Sequence, residues 1–99
     1  MYVRVWEYEV PPASVDDFVA AYGADGDWAA LFAHGPGYLG TELYRSTDDP
    51  ARFVTVDRWT DATDWNSFRA KHGEQYEALD ARLGRLGAEE SRLLDGDVD

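Results

Sequence analysis

The sequence predicts an α+β fold in which a four-stranded antiparallel sheet carries its helices on one face. Four segments alternate apolar and polar residues with the period of two that is typical of strands. Between them lie segments whose apolar residues recur three and four positions apart, the spacing of amphipathic helices. The segments follow the order strand, helix, strand, strand, helix, strand. That order predicts a βαββαβ chain path, the ferredoxin-like arrangement.

The first half of the chain contains the first strand, two helices and the second strand. The first strand covers residues 2–10 and ends at a Pro-Pro pair, because proline cannot donate to a sheet. Ser14 is a suitable N-cap for a helix that ends at Gly23. A short second helix covers residues 26–33, and the second strand covers residues 38–46.

The second half begins with the third strand, residues 52–60, which follows a polar hairpin loop. Asp61 then caps a helix that ends near His72, and a further helical stretch follows it. A final strand is expected over residues 89–94. Residues 95–99 have the acidic composition of a frayed end.

The length and composition limit the classes of protein to which the chain can belong. Ninety-nine residues make a single domain, 1–99. The formal net charge of −11, from 20 acidic and 9 basic residues, argues against binding to nucleic acid or to an anionic membrane. The chain has no cysteine, which excludes disulfides and thiolate metal sites. No segment resembles a membrane span or a signal peptide, so we expect a cytoplasmic protein.

The predicted sheet has apolar side chains on both of its faces, although the topology supplies helices for only one. In the first strand, Val3 and Val5 alternate with a second apolar set on the opposite face, and the third strand repeats this pattern with Val54 and Val56. An uncovered apolar face of this size is unusual on a soluble monomer. We therefore expect a homodimer that packs sheet against sheet.

Several segments resemble the antibiotic biosynthesis monooxygenase family, within the larger group of dimeric α+β barrels. The resemblance lies in the strand Val3-Arg-Val-Trp-Glu-Tyr8, the turn Pro36-Gly-Tyr-Leu-Gly40 and the strand end Val56-Asp-Arg-Trp59, followed by the capping stretch Thr60-Asp-Ala-Thr-Asp-Trp65. It covers nearly the whole chain. It implies a homodimer with a pocket between each sheet and its helices.

The resemblance also implies two kinds of chemistry. Some relatives oxidise aromatic polyketides with oxygen and no cofactor, and others bind and degrade haem. Haem-degrading members usually carry an asparagine on the first strand, where this chain has Trp6 and Glu7. A cofactor-independent monooxygenase acting on a polycyclic phenol is therefore the leading hypothesis, with haem binding as the alternative. A non-catalytic dimer that binds a small apolar molecule is the third.

Two residues are candidates for the catalytic base. His72 follows Trp65 and Phe68 on one helical face, but a helix end also favours an imidazolium without any function. If Asp57 faces the helices, it shares its face with Trp59, and apolar surroundings would raise its pKa toward that of a base. The alternative for Asp57 is an ion pair on the sheet surface.

The remaining candidates would bind the substrate. Trp59, Trp65 and Phe68 can wall a pocket for a flat aromatic molecule, and core packing is the alternative for all three. Tyr44 and Arg58 are candidates on the second and third strands, and Arg58 could stabilise an oxyanion. The spacing of the two histidines predicts no metal site.

Overall fold

Four antiparallel strands form one sheet: β1 (Tyr2–Glu9), β2 (Tyr38–Arg45), β3 (Arg52–Trp59) and β4 (Glu89–Asp97). The structure is a computed structural model that describes residues 1–99. The strand order is β2-β3-β1-β4, so the first and third strands lie at the centre of the sheet. The predicted ferredoxin-like arrangement is confirmed.

Four helices pack on one face of this sheet: α1 (Val15–Tyr22), α2 (Asp27–Phe32), α3 (Ala62–Lys71) and α4 (Gly73–Leu83). Asp61 caps α3 as predicted, since its side chain accepts a hydrogen bond from the Asp64 backbone N–H at 2.8 Å. Ser14 precedes α1 but makes no such bond. It ends a 3₁₀ turn and has near-helical dihedral angles, whereas a capping residue needs an extended backbone.

The core between the sheet and the helices is mostly aromatic. Phe32, on the short helix α2, lies at its centre, with ring centroids 5.4 Å from Phe68, 5.8 Å from Trp59 and 5.9 Å from Trp65. Trp59 is fully buried. Aromatic pairs at these distances stabilise a core by about 0.5–1.5 kcal/mol each beyond the burial of their area.

Strand β4 is longer than predicted and includes Asp95 to Asp97, which the composition had suggested were frayed. These residues pair with Tyr2 to Arg4 at the beginning of β1. A register shift between Val5 and Trp6 separates this pairing from the rest of the β1–β4 ladder. The Arg4 guanidinium forms an ion pair with Asp95 at 3.2 Å, which gives the acidic end a partner inside the sheet. The backbone pairing with β1, together with this ion pair, explains why the acidic composition does not lead to fraying.

The opposite face of the sheet carries no helix. Val5 lies between Val56 and Leu94 in the strand register, and Val3 and Val54 extend the same apolar strip. Leu94 is 54% exposed. None of the helices combines the length and the apolar character needed to cross a membrane.

Candidate active site

A cavity of about 70 Å³ lies between the helix-facing side of the sheet and the helices. Its lining combines six aromatic side chains with two threonines and four charged residues: Trp6, Tyr8, Tyr22, Trp28, Phe32, Tyr76, Thr41, Thr55, Arg4, Asp57, Asp80 and Glu90. Asp80 and Glu90 are exposed, so they mark the side on which the cavity meets solvent. The space holds a few water molecules and is smaller than a pocket for an aromatic ligand, which has about 300–1,000 Å³.

The register of the two central strands places Asp57 in this cavity. Arg4 on β1 pairs directly with Asp57 on β3, and Trp6 pairs with Thr55 one step further along the same face. Because side chains alternate across a strand, all four residues face the helices. The sheet therefore presents a carboxylate and a guanidinium side by side in aromatic surroundings.

A chain of hydrogen bonds ends at the Asp57 carboxylate. The Thr41 hydroxyl donates to Asp57 Oδ1 at 2.6 Å, and the Tyr38 hydroxyl lies 2.6 Å from Thr41 Oγ1. A threonine hydroxyl has one hydrogen, which Asp57 receives, so Tyr38 must be the donor to Thr41. The direction of both hydrogen bonds is thereby fixed.

Burial raises the pKa of Asp57 from 3.8 to about 6. The hydrogen bond from Thr41 and the positive charge of Arg4 act in the opposite direction, because both stabilise the ionised form. A carboxylate with a pKa near 6 is still mostly ionised at neutral pH, yet it binds a proton more readily than an exposed aspartate. These are the properties of a general base.

The Arg4 guanidinium is held on two sides. It forms the ion pair with Asp95 and lies over the Trp65 ring, 4.0 Å from the ring centroid. Only 12% of its side chain is exposed. This fixed cation can stabilise negative charge that develops on a molecule in the cavity.

The tyrosine side chains that line the cavity stay protonated and uncharged at neutral pH. Burial raises the pKa of Tyr22 to about 12, and it also raises the pKa of Tyr8, whose hydroxyl lies 3.3 Å from Thr55 Oγ1. At the solvent side, partial burial of the Glu90 carboxyl and the negative charge of Asp80 raise the pKa of Glu90. Asp57 is therefore the ionisable group best suited to act as a base inside the cavity.

The structure places the predicted aromatic wall in the core instead. Trp59, Trp65 and Phe68 are buried and do not line the cavity. Phe32 fills the space between their rings, and the buried indole N–H of Trp59 has no hydrogen-bond partner. Trp65 still acts on the site indirectly, since its ring supports the Arg4 guanidinium.

Tyr44 and Arg58, predicted as substrate-binding residues, lie on the helix-free face of the sheet and do not line the cavity. Tyr44 is 51% exposed and donates a hydrogen bond to Glu42, which also forms an ion pair with Arg58. The alternation that brings Asp57 to the helices turns its neighbour Arg58 away from them. The cation of the cavity is Arg4.

His72 also lies outside the cavity. It forms the boundary between α3 and α4, and its ring stacks on Phe68 with a centroid distance of 5.2 Å. The ring of His34 is 6.0 Å away. In the haem hypothesis His72 would be the residue that binds the haem iron, and its ring packs on the edge of the core. No group of three or more metal-ligating side chains comes together in the fold.

Arg4, Thr41 and Trp28 line the cavity but were not singled out from the sequence. A signal existed for Arg4, because it is two positions from Tyr2 and from Trp6 and must share the face of the strand on which they lie. Nothing in the local sequence marks Thr41 as a site residue, because its hydrogen bond to Asp57 depends on the β2–β3 register. That register contains an irregularity between Tyr38 and Gly40.

Comparison with protein families identifies the chain. The model of the family described as "Antibiotic biosynthesis monooxygenase" matches residues 1–78. The protein belongs to this family. Among functionally curated proteins, the comparison found no match.

Solved structures share the fold. One is a single-substitution variant of SnoaB from Streptomyces nogalater, which is described as a cofactor-independent oxygenase. Its sequence is 23% identical to this chain, and the TM-score is 0.69 over 98% of this chain and 94% of the SnoaB chain. A dimeric ferredoxin-like protein from an uncultured marine organism is 10% identical, with a TM-score of 0.73 over 99% and 94% of the two chains. An antibiotic biosynthesis monooxygenase described as putative, from Nitrosomonas europaea, is 16% identical with a TM-score of 0.61 over the full length of both chains.

Proposed function

We propose that this family member is a cofactor-independent monooxygenase that oxidises a polycyclic phenol in the cavity between sheet and helices, with Asp57 as the general base. The observation that carries the proposal is the pairing of Asp57, whose pKa burial raises to about 6, with Arg4 inside an aromatic-lined cavity. The description of the fold neighbour SnoaB as a cofactor-independent oxygenase supports the same reaction class.

In this mechanism the protein removes a proton and stabilises the resulting anion. Asp57 accepts the phenolic proton, and the electron-rich phenolate transfers an electron to molecular oxygen. The two resulting radicals combine, one oxygen atom enters the product, and the other leaves as water with two hydrogens from the substrate. General-base catalysis of the first step contributes about 10²–10⁴-fold.

Arg4 stabilises the phenolate oxygen. Its guanidinium is fixed by Asp95 and Trp65 before the substrate arrives, so little reorganisation is needed when the charge develops. The aromatic side chains of the cavity hold the plane of the substrate ring. Since the cavity of about 70 Å³ is too small for a polycyclic molecule, the site must open when the substrate binds.

We further propose that the protein works as a homodimer. The strip formed by Val3, Val5, Val54, Val56 and Leu94 has no helix over it. Packing against a second copy would bury about 1,200–2,000 Å², the range of stable specific interfaces. Repulsion between chains that each carry a charge of −11 opposes assembly, but salt screens it beyond a Debye length of about 8 Å. The description of one fold neighbour as dimeric supports this assembly.

Turnover of a substrate panel tests the proposed reaction. Purified protein is incubated with anthrone- and quinol-type phenols in oxygenated buffer containing a metal chelator, and oxygen consumption and product mass are measured. We expect oxygen-dependent turnover that falls at least about 100-fold in Asp57→Asn. His72→Ala is the matched control and should retain activity, since His72 does not line the cavity.

Two results would contradict the proposal. No turnover across the panel by folded protein would remove the assigned reaction class. Turnover that is lost in His72→Ala but retained in Asp57→Asn would move the base to the histidine.

A further inference from the structure

The Asp57 carboxylate is held through one of its two oxygens. Thr41 donates to Oδ1 at 2.6 Å. Oδ2 receives no hydrogen bond from a side chain of the protein and remains available to a molecule in the cavity. An anchored oxygen and a free one suit a base that must lie within hydrogen-bond reach of the proton it accepts.

Thr41 itself has little freedom. It is 7% exposed and lies beside Asp57 in the β2–β3 register. A β-branched side chain is stiff about χ1, and the hydrogen bond from Tyr38 occupies its oxygen, so the Thr41 hydrogen points to Asp57. The Tyr38 ring is fixed in turn, packed 5.7 Å from Phe32 and 5.3 Å from Trp59 between ring centroids.

We propose that Thr41 is the positioning residue for the Asp57 base and that Tyr38 fixes the direction in which Thr41 donates. The inference rests on the proposed role of Asp57 in catalysis. Thr41 acts through the carboxylate: it anchors Oδ1 so that Oδ2 faces the substrate, and it stabilises the ionised form that is able to accept a proton.

A positioning role for Thr41 affects the pKa of Asp57, whereas a threonine that only fills space does not. A hydrogen bond donated to a carboxylate lowers its pKa, and here it opposes the effect of burial. Removing the hydroxyl must therefore raise the pKa of Asp57 above its value of about 6 and reduce the ionised fraction at neutral pH. A residue that only fills space would leave this pKa unchanged.

Three variants distinguish a positioning role of Thr41 from a role in filling space. Thr41→Val keeps the branched shape and removes the hydroxyl, whereas Thr41→Ser removes a methyl group and keeps the hydroxyl. Tyr38→Phe leaves the Thr41 hydroxyl in place but frees its direction. Because Thr41→Val leaves the Tyr38 hydroxyl without its acceptor, the double variant Tyr38→Phe/Thr41→Val provides a second test if the single variant does not fold.

The experiment is a carbon-13 NMR titration of the Asp57 carboxyl in ligand-free protein, assigned by its absence in Asp57→Asn. We expect a pKa about one pH unit higher in Thr41→Val and in the double variant, a value close to the wild type in Thr41→Ser, and a smaller rise in Tyr38→Phe. The acid limb of the turnover profile should move by the same amount. An unchanged pKa in the folded valine or double variant, or an equal rise in Thr41→Ser, would overturn the inference.

The titration does not require an active enzyme, so the two proposals can fail separately. The expected pKa changes in a protein without turnover would refute the proposed reaction and leave Thr41 as the group that sets the Asp57 carboxylate. Turnover with an acid limb that does not respond to Thr41→Val would refute the positioning role alone.

Discussion

Replacing the Asp57 carboxylate by an amide is expected to stabilise the protein above pH 6 while it lowers turnover at least about 100-fold. Burial disfavours the ionised form of Asp57, and Asp57→Asn introduces an uncharged group of nearly the same shape. The amide oxygen can still accept the hydrogen bond from Thr41. The substitution therefore removes the cost of the buried charge and retains the local packing.

The size of this effect follows from the two pKa values. Because the folded pKa of about 6 exceeds the ordinary value of 3.8, the folded protein binds more protons than the unfolded chain between these limits. The free energy of unfolding of the wild type must then fall as the pH rises from about 4 to 6, and the loss is complete above the folded pKa. The difference between the two pKa values corresponds to roughly 3 kcal/mol in the free energy of unfolding. This is an upper value, because Asp57 is only half-buried.

Urea unfolding at pH 4 and pH 8 measures this difference. The advantage of Asp57→Asn over the wild type should be larger at pH 8 than at pH 4 by up to about 3 kcal/mol, and effects of the amide that do not depend on pH cancel in the comparison. Asp48→Asn, in the exposed hairpin loop, is the matched control for removal of a carboxylate. Equal advantages at both pH values would show that burial does not perturb Asp57, and the argument for it as a base would lose its basis.

Three further substitutions test the fixed cation, the turn before β2 and the assembly. Arg4→Met should lower kcat about 10²–10³-fold in a protein that circular dichroism shows to be folded, and near wild-type turnover would refute its role at the oxyanion. Gly37→Ala should lower the free energy of unfolding by about 1–3 kcal/mol, because Gly37 has φ +88° and a Cβ would overlap the Asp64 carboxylate; unchanged stability in urea would contradict this. Light scattering at micromolar concentration should give a dimer for the wild type and a monomer for Val56→Asp, and a monomeric wild type would refute the proposed interface.

The fold could be predicted from the sequence because its signals are local. Alternation, helical spacing and capping residues each act within a few positions, and they placed all four strands and the break between α3 and α4 near Gly73. The end of β4 could not be predicted in this way. The segment from Asp95 to Asp97 belongs to a strand because its backbone pairs with the beginning of β1 at the other end of the chain, where Arg4 also forms an ion pair with Asp95.

The site was harder to predict because the placement of the aromatic residues depends on α2. The spacing of Trp65 and Phe68 indicates one face of a helix, and both packing and binding would use that face. Phe32 decides between them by occupying the space in front of these rings. No pattern in the local sequence around Trp65 reports where the side chain of a separate short helix will lie.

The small cavity and the larger proposed substrate require an opening, and the fold indicates which wall moves. Arg4 and Asp57 lie on the two central strands, each of which is hydrogen-bonded on both sides. The opposite wall includes Tyr76 on α4, which is half-buried and lies near the exposed Asp80. The Arg69 guanidinium lies over the Tyr76 ring, 4.0 Å from the ring centroid. Regions with exposed contacts open at a lower free energy than a paired sheet. Movement of Tyr76 would therefore enlarge the cavity while the base and the cation keep the geometry that electrostatic stabilisation of an anion needs.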